Sequence, residues 1–138
     1  MTDYAPHQVG RWMSTRLVTT TPKTLVAEAL DVMEDHRIRH LPVIEGERLV
    51  GLLSNRDAVR LLRGRGPRSP ERATVGEVMT HGRLHRAAPS DTVRETTEVM
   101  CREKISAMPV VTGDRLVGMV TTEDLLWAFL EAPRDLED

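Results

Sequence analysis

The chain has 138 residues, of which 40% are hydrophobic, 29% charged and only 3% aromatic, with a formal net charge of −2. That length allows one compact domain or two very small ones sharing a core, and the balance is that of a soluble globular protein whose core is built from Val, Leu, Ile and Met. The charge gives no bulk electrostatic reason to expect nucleic acid, the start MTDYAPHQVGRW lacks the pattern of a signal peptide, and no apolar run approaches a membrane span, so neither nucleic acid nor a membrane is an expected partner.

In chain order the first recognisable piece is VGRWM (Val9–Met13), followed by a weak strand in LVTT (Leu17–Thr20). After Pro22, the residues Val26, Ala29, Leu30 and Met33 mark one face of a helix, with Thr24 as its expected cap. A short strand HLPVI, a polar turn EGER and a second strand LVGLL come next, then a helix carrying Ala58, Leu61 and Leu62. RGRGPRSPERAT (residues 63–74), rich in Gly, Pro and Arg, reads as an exposed linker. The series then repeats: VGEVM (Val75–Met79), a weak strand in LHRA, and a helix with a Thr92/Glu95 capping box ahead of Val99 and Met100. AMPVV, TGDR and LVGMV follow, and then a helix with Leu125, Leu126 and Phe129.

This is an internal duplication at an offset of 67 residues: aligning Pro22–Leu62 with Pro89–Phe129 needs no gap and gives 14 identities in 41 positions. The expected organisation is one repeat over 9–62, a linker over 63–74 and a second repeat over 75–130. A repeat that cannot bury its own apolar face packs against its partner.

Two residue types in each repeat break strand rules. Pro42 and Pro109 cannot donate to a ladder, so each is expected at a strand start or an edge. Gly51 and Gly118 allow a backbone or a ligand to approach closely, and their place just ahead of a helix cap favours a pocket. The phrases GLLSNRDA and GMVTTEDL then put a hydroxyl three residues before an aspartate: Ser54 with Asp57, and Thr121 with Asp124. Alone, that spacing is a helix cap. A hydroxyl at a helix start also suits phosphate, and a carboxylate there can accept from paired sugar hydroxyls, so both uses are compatible.

The stretches VMEDHRIRHLPVIEGERLVGLLSNRD and VMCREKISAMPVVTGDRLVGMVTTED resemble a pair of cystathionine β-synthase (CBS) domains, the regulatory Bateman module. The resemblance runs from about Val9 to Leu130. It implies an α/β fold of the α+β kind: two βαββα repeats with pseudo-twofold symmetry, sheets packed together, helices outside, and clefts between the repeats. It also implies an adenosine-containing regulatory ligand, namely AMP, ADP, ATP, S-adenosylmethionine or a dinucleotide, with no resident cofactor. By that resemblance Asp57 and Asp124 would hold ribose and Ser54 and Thr121 would meet phosphate, while Ile38–Pro42 and Ile105–Pro109 would flank the base. The first implied site is Thr20, Thr21, Ile38, Arg39, His40, Leu41, Pro42, Ser54, Arg56 and Asp57. The second is Arg86, Ala87, Ile105, Ser106, Ala107, Met108, Pro109, Thr121 and Asp124.

The two sites are expected to be unequal. Arg37, Arg39, His40 and Arg56 surround the first phrase, with Arg60 a turn further on, whereas Lys104, Ser106, Ala107, Glu123 and Trp127 hold the matching places of the second. Arg56 can pair with phosphate and Glu123 would repel it. Other chemistry is weaker. His36/His40 and His81/His85 span element boundaries and are not expected to bind metal. Cys101 has no base partner, so no catalytic residue is expected, and as the lone cysteine it fits a reducing cytoplasm. Trp12 and Trp127 fall near repeat boundaries, as core or as interface. The expected protein is a homodimeric ligand sensor acting on a target in trans; the alternative is a ligand-free dimerisation module, with an enzyme third.

Overall fold

The computed structural model of the chain describes residues 3–65 and 72–131. It begins with a short helix α1 (Val9–Trp12), helix α2 (Val26–His36), strands β1 (His40–Glu45) and β2 (Arg48–Ser54), and helix α3 (Asn55–Arg60), which continues as a π turn over Leu61–Arg65. The series recurs as α4 (Val75–Val78), α5 (Val93–Glu103), β3 (Ala107–Thr112), β4 (Arg115–Thr121) and α6 (Thr122–Glu131). The fold is mixed α+β, as the duplicated pattern predicts.

Two compact units result: Val18–Leu84, and the described residues up to Leu17 together with those from His85 onward. In the first, β1 and β2 form an antiparallel hairpin with His40 opposite Ser54. Val26, Ala29 and Met33 of α2 join Leu41, Val43, Leu53, Ala58 and Leu61 in its core. In the second, Ala107 lies opposite Thr121, and Val93 and Met100 of α5 pack with Met108, Val110, Val120, Leu125 and Ala128. Burying one such aliphatic side chain is worth roughly 1.5–3 kcal/mol, so each small core rests on a handful of residues.

The compact units do not coincide with the sequence copies, because the segments VGRWM and VGEVM change places. Val75 lies in the core of Val26, and the Val75 and Gly76 amides donate to the Thr24 and Pro22 carbonyls at 2.8 and 2.9 Å. Likewise Val9 packs with Val93, and the Val9 and Gly10 amides donate to the Asp91 and Pro89 carbonyls, both at 2.8 Å. Residues 66–71 of the expected linker lie outside the described residues. Near its end Ala73 is not exposed but buried, and its carbonyl accepts from Val26 N at 3.0 Å. That bond also corrects the expected cap of α2. The N-cap is Leu25, without a side-chain bond, and the Thr24 hydroxyl pairs with that of Thr21 at 2.8 Å. A neighbouring backbone carbonyl meets the free amide, so no side chain is needed.

The weak strands shrink to single parallel bridges, Thr20 with Val43 and Ala87 with Val110. Thr20 N donates to the Pro42 carbonyl at 3.0 Å, and Ile44 N donates to the Thr20 carbonyl at 2.9 Å. The next rung would need an N–H on Pro42, which proline lacks, and Pro109 stops its own copy in the same way.

Gly51 and Gly118 serve packing rather than ligand approach, which corrects the pocket reading. A Cβ on Gly51 would run into the Met79 side chain and fall 2.9 Å from the Thr80 carbonyl oxygen. One on Gly118 would meet Met13 and lie 3.2 Å from the Ser14 carbonyl oxygen. The exchanged segments occupy the space a side chain would take. Gly46 differs: nothing lies within 4 Å of its absent Cβ, but its φ is +64°. We expect Gly51→Ala to cost about 2 kcal/mol by overpacking and Gly46→Ala about 1 kcal/mol by backbone strain. Urea denaturation reads both, and a larger loss at Gly46 would contradict the packing assignment.

Candidate functional site

Each unit draws its implied site residues together through backbone bonds. Arg39 precedes β1, and its carbonyl accepts from Asn55 N, the first residue of α3, at 2.7 Å. His40 stands opposite Ser54 at the far end of the hairpin. Ser54 Oγ accepts from Asp57 N at 3.1 Å and so caps α3. Arg39, His40, Ser54, Arg56 and Asp57 therefore share one end of the hairpin. The second unit repeats the frame: Thr122 N donates to the Ser106 carbonyl at 3.0 Å, and Asp124 N donates to Thr121 Oγ1 at 3.3 Å. α2 and α5 stop just before these strands at Arg37 and Lys104, both left-handed, with φ of 55° and 57°.

Several implied residues have their side chains committed to the units' interiors. Leu41, Pro42, Ala87, Ala107, Met108 and Pro109 are buried, and so is Thr20. They can offer a ligand backbone groups rather than apolar side chains. Ile38 and Ile105 are half-buried against the two cores. Thr21 is exposed and engaged with Thr24, and Arg86 is exposed.

The polar groups that remain differ between the two frames. Among the described residues the Asp57 carboxylate accepts no hydrogen bond. The Asp124 carboxylate folds back on its own cap: Oδ2 accepts from Thr121 N at 2.8 Å and from Thr121 Oγ1 at 3.1 Å. Burial pushes the Asp124 carboxyl above its usual range; the two Thr121 bonds pull it down, and the charge of Glu123 pushes it further up. His40 moves the other way. Burial lowers it first and Arg39 lowers it further, against a raising pull from Asp57, so the ring is held neutral at neutral pH. The first frame thus presents a carboxylate that meets no hydrogen-bond donor among the described residues and acts on His40 only through its charge; the second presents a carboxylate already used as a cap.

Two surface features extend beyond the implied sites. Asn55, Arg56, Val59, Arg60 and Arg63 line a cavity of about 310 Å³. α5 and α6 form an apolar groove of about 780 Å³, lined among others by Val93, Cys101, Ile105, Leu126 and Phe129. Phe129 and Leu130 at its end are 74% and 69% exposed. Leu125, Leu126 and Phe129 of α6 signal this groove in the sequence. The contribution of α5 through Thr97, Cys101 and Lys104 carries no such signal. Trp12 is half-buried in the second core with Nε1 donating to the Pro6 carbonyl at 2.7 Å, whereas Trp127 stays half-exposed. Among the described residues no group of three or more His, Cys, Asp or Glu is placed to share a metal ion. No described helix is long and apolar enough to cross a membrane.

The CBS-domain family model matches residues 9–64 and 75–131, and the chain belongs to the CBS-domain family. Inosine-5′-monophosphate dehydrogenase of Aquifex aeolicus (strain VF5) is 35% identical over 111 residues, which is 79% of this chain and 22% of that enzyme. Among solved structures, CBSX2 in complex with AMP is 26% identical with a TM-score of 0.76, covering 91% of this chain and 97% of that one. The CBS domain pair of protein MJ0100, in complex with 5′-methylthioadenosine and S-adenosyl-L-methionine, is 28% identical with a TM-score of 0.78, covering 91% and 98%.

The lowered His40 gives a pH signature. The unfolded chain holds the imidazole proton up to about pH 6.5, while the folded chain releases it at lower pH. Below about pH 6.5 the unfolded state therefore binds more protons, and stability falls as pH falls through that interval. We expect the urea midpoint of the wild type to drop more steeply than that of His40→Gln between about pH 7 and about pH 5. Parallel profiles would contradict a half-buried, neutral His40.

Proposed function

We propose that this chain is a regulatory module that senses an adenosine-containing ligand, an adenine nucleotide or S-adenosylmethionine, chiefly at the frame of Arg39–Pro42 and Ser54–Asp57. One observation carries the reading: the Asp57 carboxylate stands beside its cap without a hydrogen-bond partner among the described residues. Such a carboxylate suits a pair of ribose hydroxyls. The AMP complex of CBSX2 and the adenosyl complexes of the MJ0100 pair support the choice of ligand. Ser54 and Arg56 then meet phosphate, and the backbone of Ile38–Pro42 meets the base. Asp124, occupied by Thr121 and flanked by Glu123, makes the second site the weaker one, suited to a less charged adenosine compound or to none. A ligand signals only by discriminating between states, and this chain would pass that difference to a protein target in trans. No resident cofactor, catalytic residue, nucleic acid or membrane enters this reading, and the cytoplasm is its setting.

The same chain is proposed to form a homodimer through the α5–α6 groove, since exposed apolar patches of this kind mark contact surfaces. That groove also supports a second reading, in which the module only dimerises and both aspartates merely cap helices. Calorimetry with AMP on Asp57→Asn and Asp124→Asn separates the two. We expect Asp57→Asn to weaken binding about tenfold or more while costing at most about 1 kcal/mol of stability, and Asp124→Asn to leave the affinity near that of the wild type. Unchanged affinity in both variants would leave the dimerisation module, which light scattering at micromolar concentration reads directly.

A further inference from the structure

The duplication gives an internal comparison for the outer face of α3. Arg56, Val59, Arg60 and Arg63 recur at i, i+3, i+4 and i+7, away from the buried Ala58 and Leu61. The residues 67 places on are Glu123, Leu126, Trp127 and Leu130. The fold therefore does not ask for arginine on this face, since the second copy carries one carboxylate and three apolar side chains. Like charges spaced by three or four residues weaken a helix by a few tenths of a kcal/mol per pair. Yet among the described residues no carboxylate lines the cavity of Asn55, Arg56, Val59, Arg60 and Arg63, and none of its three guanidinium groups makes an ion pair.

We propose that this cavity is a binding site for a phosphate chain of two or three units. Each guanidinium presents a planar fork of donors that fits phosphate oxygens bidentately, and the Asn55 amide is a further donor. The cavity, at about 310 Å³, suits a small and densely charged ligand. Successive phosphates of a chain concentrate negative charge over a short distance, as the three arginines concentrate positive charge within two turns. An acidic peptide spreads its carboxylates further apart and needs room for a backbone; among the described residues Val59 is the cavity's only apolar wall. The chain's source is either free oligophosphate or the tail of a nucleotide. The cavity shares Arg56 with the proposed adenosine frame, while Arg60 and Arg63 belong to the cavity alone, so a phosphate chain without a nucleoside would still occupy it.

Titration calorimetry of the full chain with tripolyphosphate tests this at low ionic strength. We expect binding by the wild type, and a loss of about tenfold or more in affinity for Arg60→Glu and for Arg63→Glu. The AMP affinity of Arg63→Glu should stay unchanged, which keeps a failure here distinct from a failure of the adenosine site. Competition by ATP much stronger than by AMP would assign the site to a nucleotide tail; competition by ATP no stronger than by AMP would assign it to free oligophosphate. Circular dichroism, with Arg63→Gln as a milder variant, confirms that a loss is not unfolding. No binding by the wild type, equal affinity in wild type and all variants, or tighter binding of a pentaglutamate peptide than of tripolyphosphate would overturn the proposal.

Discussion

The hydrogen bond from Asn55 N to the Arg39 carbonyl, with its copy from Thr122 N to Ser106, is the constraint on which each candidate site depends. It ties the start of a helix to the start of a strand some sixteen residues earlier, and the hairpin between them sets the rest. Because His40 faces Ser54 and Gly46 closes the turn, the strand entry and the helix cap are brought to one place. A backbone bond asks for no particular side chain. The frame is thus kept in both units while its side chains are free to differ.

They do differ, and physical cost explains where. Interior positions exchange one aliphatic for another, as Leu41 and Met108 do, because a change of volume in a packed core is penalised. Exposed positions of the frame exchange charge and polarity: Arg39 for Ser106 and Arg56 for Glu123. The two aspartates show how far such drift reaches. Both sit at the third position of a capped helix, yet Asp124 is consumed by Thr121 while Asp57 is not. Among the described residues one carboxylate is thereby left without a hydrogen bond, while the other is used for local stability.

Much of the fold was legible in the residues because it is local. The hairpins follow from HLPVI–EGER–LVGLL and its copy, and the caps at Ser54, Thr92 and Thr121 follow from hydroxyl spacing. What escaped was long-range. That VGEVM packs on Pro22–Val26 and VGRWM on Pro89–Val93 has no local signature, since the two segments are alike and either pairing looks equally good on paper. The misreading of Thr24 and of Gly51 has the same origin: a backbone carbonyl and a methionine supplied by an exchanged segment took the places that local rules gave to a side-chain cap and a ligand. The implied residues follow from the resemblance, but which of them would be buried was not legible, nor that the two carboxylates would be engaged differently.

Backbone amide chemical shifts of the ¹⁵N-labelled chain, followed by NMR as AMP is added, test most directly whether the first frame recognises an adenosine ligand. We expect saturable shifts concentrated at Arg39–Leu41 and Ser54–Asp57, with those at Ser106–Met108 and Thr121–Asp124 smaller or appearing only at higher ligand concentration. Shifts absent throughout, or confined to the α5–α6 groove, would contradict the assignment.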